Sequence, residues 1–182
     1  MKEKNVQPLR TAKEIEDMKW ALRRYGSERD YFLFVFGINT GLRVSDIVPL
    51  TVGDVRDKSH VVVREQKTNK TKRFMLPVKL REEIEDYTAH MSDGEYLFPS
   101  RKDGSITPTQ AYRVLVKAGN VLGRDDIGTH TMRKTFGYAY YRRTKDLAFL
   151  QNIFNHSAPS ITKRYIGITQ EEIDETLKDF SL

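Results

Sequence analysis

The chain has 182 residues, enough for one globular domain with a proper core, and its hydrophobic content of 38% is that of a folded, soluble protein. Its 31 Lys and Arg outnumber 25 Asp and Glu, giving a net charge of +6 that favours a polyanionic partner. There is no cysteine, which removes disulfides, thiolate nucleophiles and cysteine-rich zinc sites.

The first five residues lead into no apolar run, so no signal peptide is expected. Thr11 and Glu14 form a capping box that opens a helix to about Tyr25. Tyr31 to Ile38 reads as a second, buried helix, broken by Gly41. This is the longest apolar run, and it is far below the ~20 residues that span a bilayer, so a cytoplasmic protein without membrane contact is expected. Arg43 to about Leu50 reads as a short third helix. His60–Glu65 and Arg73–Leu76 are β-branched or apolar runs on either side of Thr68–Thr71, the pattern of a hairpin. Lys79 to Met91 has helical period, and Thr107 with Gln110 makes another capping box, with Pro108 at the first helical position. Thr131–Arg143, Leu147–Phe154 and Ser160–Tyr165 read as further helices, and Thr169 opens a last one to about Phe180. No linker or repeat divides residues 1–182, so one domain is expected. Its class is α+β, mainly α, with one small antiparallel sheet.

The charge is unevenly spread. His60 to Arg81 holds seven bases and one acid, Glu65, and Arg101 to Lys145 holds ten bases against Asp103, Asp125 and Asp126. The last seventeen residues reverse the sign, with five acids and one base, Lys178. A basic body with an acidic tail suits a nucleic-acid surface and a tail kept off it.

Within the basic body stand residues suited to phosphate chemistry. His130 and Arg133 share one face near a helix start, opposite the stripe of Met132, Phe136 and Tyr140, and a helix start already favours anions. Arg43 follows a loop-to-helix transition, with Asp46 one turn on. Two guanidinium groups can grip non-bridging phosphate oxygens and stabilise the charge of a pentacoordinate transition state. A tyrosine such as Tyr165 can serve as nucleophile only with a base and a positive field, since a phenol titrates near 10. Each of these residues alone has a plainer reading as surface charge or packing.

Their order and local wording are more telling. Thr40-Gly41-Leu42-Arg43-Val44-Ser45-Asp46, then His130-Thr131-Met132-Arg133, then Asn155-His156-Ser157 with Arg164-Tyr165-Ile166, resemble the three boxes of the tyrosine recombinase (phage integrase) family. The resemblance runs from about Pro8 to Ile168. It departs at Asp46, where Glu is frequent, at Met132 for Leu, at Lys134 for His, and at Phe154-Asn155-His156 for Leu-Gly-His.

The resemblance implies a catalytic domain that cuts and rejoins double-stranded DNA in site-specific recombination, with no cofactor and no metal. Arg43 and Arg133 would clamp the scissile phosphate, His156 would bond one of its oxygens, and His130 would assist proton transfer at the nucleophile, Tyr165. A hairpin lysine would protonate the leaving 5′ oxygen. Lys67 fits best and Lys70 competes. Asp46 would orient the Arg43 region, and Lys70, Lys72, Arg73, Lys134 and Arg164 would contact DNA. The family's usual N-terminal core-binding domain has no counterpart in the ten or so residues before the first helix, so the chain is either a catalytic fragment or a short member. Ile173, Leu177 and Phe180 form an apolar stripe on the tail, which either docks on a neighbouring subunit or packs on its own core. By analogy the protein would work as a tetramer on DNA, with accessory proteins. Two alternatives share its features: DNA relaxation of the type IB topoisomerase kind, and a non-catalytic DNA-binding accessory to a full-length recombinase.

Overall fold

The computed structural model describes residues 6–64, 71–175 and 178. Helix α1 (Ala12–Tyr25) starts at its capping box: the Thr11 hydroxyl accepts from the Glu14 N–H at 3.1 Å, and the Glu14 carboxylate accepts from the Thr11 N–H at 2.9 Å. Helix α2 (Glu28–Thr40) is the centre of the fold, with every side chain from Tyr31 to Phe36 buried. Surrounded helices need no polar face, which is why this stretch is apolar all round. Phe32 stacks on Tyr87 at 4.2 Å between ring centres and approaches Phe98, which meets Phe36 edge-on. The Tyr87 hydroxyl donates to the Leu97 carbonyl at 2.9 Å, and burial pushes its pKa up to about 12.

Helix α2 stops at Gly41, whose φ of 64° is left-handed. A β-carbon there would also overlap the Phe136 ring, so both conformation and space call for glycine. Helix α3 (Val44–Ile47) is shorter than expected, with Arg43 as its extended N-cap residue. The chain then leaves the helix because the Leu50 carbonyl pairs with the Leu97 N–H. A 3-10 turn at Val52–Asp54 and isolated bridges at Thr51–Tyr96 and Pro99–Ser105 follow, none of them foreseen.

Strands β1 (His60–Arg64) and β2 (Thr71–Met75) pair antiparallel, in register from His60 with Met75 to Arg64 with Thr71. Val61 and Val63 point inward and Val62 outward. The second strand starts at Thr71 and not Arg73, so Lys72 is a ladder residue opposite Val63. Helix α4 (Val78–Thr88) ends before the expected Met91 because the Arg56 guanidinium takes the Thr88 and Met91 carbonyls.

Helices α5 (Pro108–Val121) and α6 (Thr129–Thr144) complete the packing around α2. Helix α6 has two apolar faces, not the single stripe expected. Met132 enters the main core, whereas Phe136 and Tyr140 join a smaller cluster with Leu150, Phe154 and Ile166. That cluster is made by α7 (Leu147–Phe154) and α8 (Pro159–Ile166). Helix α9 (Gln170–Glu175) is anchored on its own chain, since Glu172 accepts from Tyr138 at 2.5 Å and pairs with Arg10 at 3.4 Å. The side chains of Ile173, Leu177 and Phe180 lie outside what is described. Among the described residues, no helix is long and apolar enough to cross a membrane.

Candidate active site

Tyr165 lies near the end of α8, partly buried, with its ring inserted between α6 and the end of α7. His130, in the first turn of α6, places Nδ1 3.0 Å from the Tyr165 hydroxyl oxygen. With the proton of His130 on Nε2, Nδ1 is an acceptor for that O–H. Phe154 and His156 meet the ring edge-on at 5.4 and 5.1 Å, and the Lys134 ammonium lies 5.3 Å from its centre.

His156 owes its position to a helix stop. Asn155 is left-handed, with φ 57°, and the His156 N–H closes α7 by donating to the Gln151 carbonyl at 3.0 Å. Asparagine is among the few non-glycine residues that tolerate this conformation, which explains Asn155 at the place where glycine is usual. The imidazole Nδ1 lies 3.0 Å from the Thr162 hydroxyl on α8. A Thr162 O–H that donates to Nδ1 leaves Nε2–H as a donor for an anion. Burial, then the charges of Arg133 and Arg43, hold the His156 pKa below the usual imidazole value. The neutral ring is therefore the favoured form.

Arg133 is buried to 5% exposure, not on a solvated helix face. Its Nη1 donates to the Gly41 carbonyl, two residues before Arg43, and Nη2 reaches the Ile153 carbonyl at 3.5 Å. The guanidinium carbon sits 4.4 Å above the Phe154 ring. One side chain thus ties the Arg43 turn to the end of α7. Lys72 donates to the same Ile153 carbonyl at 3.3 Å, bringing β2 to the site. Carbonyls in the last turn of a helix carry its negative dipole end, which suits this convergence of cations.

His130, Arg133, His156 and Tyr165 thus come together, with Arg43 near enough to act on His156 and with Lys72 and Lys134 at the flanks. Asp46 is buried beneath the Arg43 turn, its N–H bonded to the Arg43 carbonyl at 2.9 Å and its carboxylate 3.5 Å from the Ser45 hydroxyl. Arg73 points elsewhere, 3.1 Å from His60, along a cavity of about 510 Å³ between β2 and α7. Arg164 is exposed and lines a basic cleft with Arg10, Lys134 and Lys163. Lys67 and Lys70 lie outside the described residues. The sequence reading missed Thr162, the carbonyls of Gly41 and Ile153, and the Phe154 ring. Backbone acceptors leave no mark in a sequence, and Thr162 was legible only once α8 was known to face His156.

Chemically, the arrangement offers an acceptor at a phenol, two guanidinium groups and a neutral imidazole donor on one open, cationic surface. The sequence model of the phage integrase family matches residues 9–172, nine-tenths of the chain and all of this site. The chain belongs to the phage integrase family. Among its relatives, the probable integrase/recombinase YoeC of Bacillus subtilis (strain 168) is 49% identical over 176 residues, covering 96% of this chain and 97% of that protein. Tyrosine recombinase XerA of Pyrococcus furiosus is 28% identical over 159 residues, covering 85% of this chain. The chain spans about half of XerA, 55% of its length. The fold agrees. A crystal structure of XerA recombinase superposes with a TM-score of 0.75 at 22% identity, over 94% of this chain and 64% of that one. The post-cleavage complex of XerH recombinase with its difH substrate gives 0.74 at 17% identity, over 94% and 52%. The phage integrase member described here has the tyrosine recombinase catalytic fold, with its small antiparallel sheet. Its function class is site-specific DNA recombination, and its relatives favour neither DNA relaxation nor a binding-only role.

Proposed function

We propose that the domain cleaves and rejoins double-stranded DNA through Tyr165. The observation that carries this reading is the 3.0 Å approach of the Tyr165 hydroxyl to His130 Nδ1, within reach of Arg133 and His156. Arg43 and Arg133 hold the two non-bridging oxygens of the scissile phosphate, and His156 donates to one of them through Nε2. Tyr165 loses its proton towards His130 and attacks phosphorus in line. A bond forms from the phenol oxygen to phosphorus, the bond to the 5′ oxygen breaks, and that oxygen takes a proton from a hairpin lysine, Lys67 or Lys70. The products are a 3′-phosphotyrosyl link and a free 5′-hydroxyl. Attack by the 5′-hydroxyl of another strand reverses the step and completes exchange. The phosphotyrosine conserves the energy of the phosphodiester, so rejoining needs no nucleotide cofactor.

Asp46 orients the Arg43 turn in this scheme, Lys70 and Lys72 supply phosphate contacts at the site, and Arg73 and Arg164 supply them on the flanking DNA. Residues 1–182 act as a single catalytic domain. Exchange between two duplexes uses four nucleophiles, and so a tetramer assembled on DNA in the cytoplasm, with accessory proteins setting direction. The test is trapping. The protein is incubated with nicked or supercoiled DNA in EDTA, and an SDS-resistant protein–DNA adduct is sought. The expected adduct is lost in Tyr165→Phe and Arg133→Ala. An adduct that persists in Tyr165→Phe would remove Tyr165 as nucleophile, and DNA binding without any adduct would favour an accessory role.

A further inference from the structure

Lys134, half-buried on α6, turns its side chain towards the N-terminal segment and the Tyr165 ring. Its ammonium donates to the Val6 carbonyl and lies 5.3 Å from the centre of the Tyr165 ring. It follows His130 by one helical turn on α6, so the two residues flank the same phenol, one at its oxygen and one at its ring. The N-terminal segment that supplies the Val6 carbonyl is itself tied down. Gln7 N–H bonds the Asp126 carbonyl at 3.0 Å, and Leu9 N–H bonds the Thr135 hydroxyl at 2.9 Å. The ammonium is thus placed by backbone from one end of the chain against a nucleophile near the other.

We infer that Lys134 is a positioning residue for Tyr165, one whose charge favours the phenolate as the proton leaves. This inference rests on the reading of Tyr165 as nucleophile. A cation against a partly buried aromatic ring acts through a reduced dielectric, so the interaction outweighs that of a freely solvated lysine. The other charged or titratable groups around the phenol are His130 and Arg133 from α6, His156 from the turn after α7, and Arg43 from the α2–α3 turn. Lys163 and Arg164 belong to α8 itself, Lys72 reaches Ile153 beside the site, and Arg10 bonds the Gly167 carbonyl at the end of α8. Glu172, the carboxylate of α9, is held by Tyr138 and Arg10. With so many cations fixed around it, one charge more or less changes the ionisation of the phenol by a modest, measurable step.

Two measurements test this on the full chain. The rate of adduct formation at saturating DNA is followed from about pH 6 to about pH 10 for wild type, Lys134→Met and Lys134→Arg. Lys134→Met is expected to be about tenfold slower at neutral pH and to recover towards wild type in alkali, its profile moved up by about one pH unit, while Lys134→Arg keeps the wild-type profile. An equal loss at every pH, or a loss confined to DNA affinity, would overturn the inference in favour of a packing or a DNA-contact role. Independently of DNA, ring-carbon NMR of labelled tyrosine follows the Tyr165 resonance, identified by its absence in Tyr165→Phe, through an alkaline titration. In Lys134→Met that resonance should titrate at higher pH than in wild type. An unchanged titration overturns the inference even if the enzyme proves inactive, whereas an adduct that survives Tyr165→Phe sinks only the nucleophile assignment beneath it.

Discussion

Arg133 shows how much one side chain does in this site. It is a charge with 5% exposure, and its burial is tolerable because the Gly41 and Ile153 carbonyls and the Phe154 ring replace water around it. A lysine in its place keeps the charge but not the planar fork that bonds both carbonyls and, in the proposed reaction, a phosphate as well. Arg133→Lys is therefore expected to lower adduct formation about 100-fold and chemical-denaturation stability by about 1–3 kcal/mol. Single-turnover assays and urea titration check the two parts. If activity fell with stability untouched, the structural half of this argument would be wrong. As a candidate phosphate ligand, Arg133 was legible in the H-x-x-R box of the family resemblance. Its depth was not, because burial of a charge depends on acceptors contributed by residues 92 and 20 positions away.

At the scale of elements, the placement of Tyr165 depends on how closely α8 approaches α6. Gly137 allows that approach: a β-carbon there would come within 2.6 Å of Ile166 and 2.8 Å of the Phe154 ring, inside van der Waals contact. Ile166 adjoins Tyr165, and Phe154 underlies both Arg133 and Tyr165. Gly137→Ala should cost about 1–3 kcal/mol of stability through overpacking. It should also slow adduct formation by about tenfold or more with little change in DNA affinity, because a shift near 1 Å spoils attack geometry without touching the binding surface. Adduct kinetics beside a binding isotherm separate these effects. Two helix starts were readable from their caps: Thr11 with Glu14 and Thr107 with Gln110 open α1 and α5 where expected. The ends were less readable. Helix α4 stops early because Arg56 takes the carbonyl of its last residue, Thr88, and that of Met91 beyond it, and α3 is cut short by a pairing between Leu50 and Leu97, both long-range events.

For the molecule as a whole, the first turn of α1 and the loop before α6 are joined by Arg124, which bonds Glu14 at 2.6 Å and Asp126 at 2.8 Å. The Arg124 bond holds the Asp126 carboxyl below its usual range. Glu14 is also held low: partial burial opposes ionisation, but the Thr11 and Arg10 N–H groups and the Arg124 charge outweigh it. Both folded pKa values lie below the unfolded ones, so their stabilisation is complete above about pH 4.5 and is lost as pH falls through the folded values. Urea midpoints should therefore fall steeply on acidification, and Arg124→Met should be less stable at neutral pH by about 1 kcal/mol after solvent screening, with a shallower acid loss. A variant as acid-sensitive as wild type would show that other carboxylates dominate. Fold class, helix order, the antiparallel strand pair and the three boxes of the family were legible in the sequence, because capping, hydrophobic period and motif wording are local properties. Three outcomes came from packing instead: Met132 and Phe136 serve different cores, Lys72 is a ladder residue reaching Ile153, and Lys134 lies against Tyr165. Those outcomes depend on which distant backbone carbonyl or ring comes within a few ångströms, and no local pattern encodes that distance.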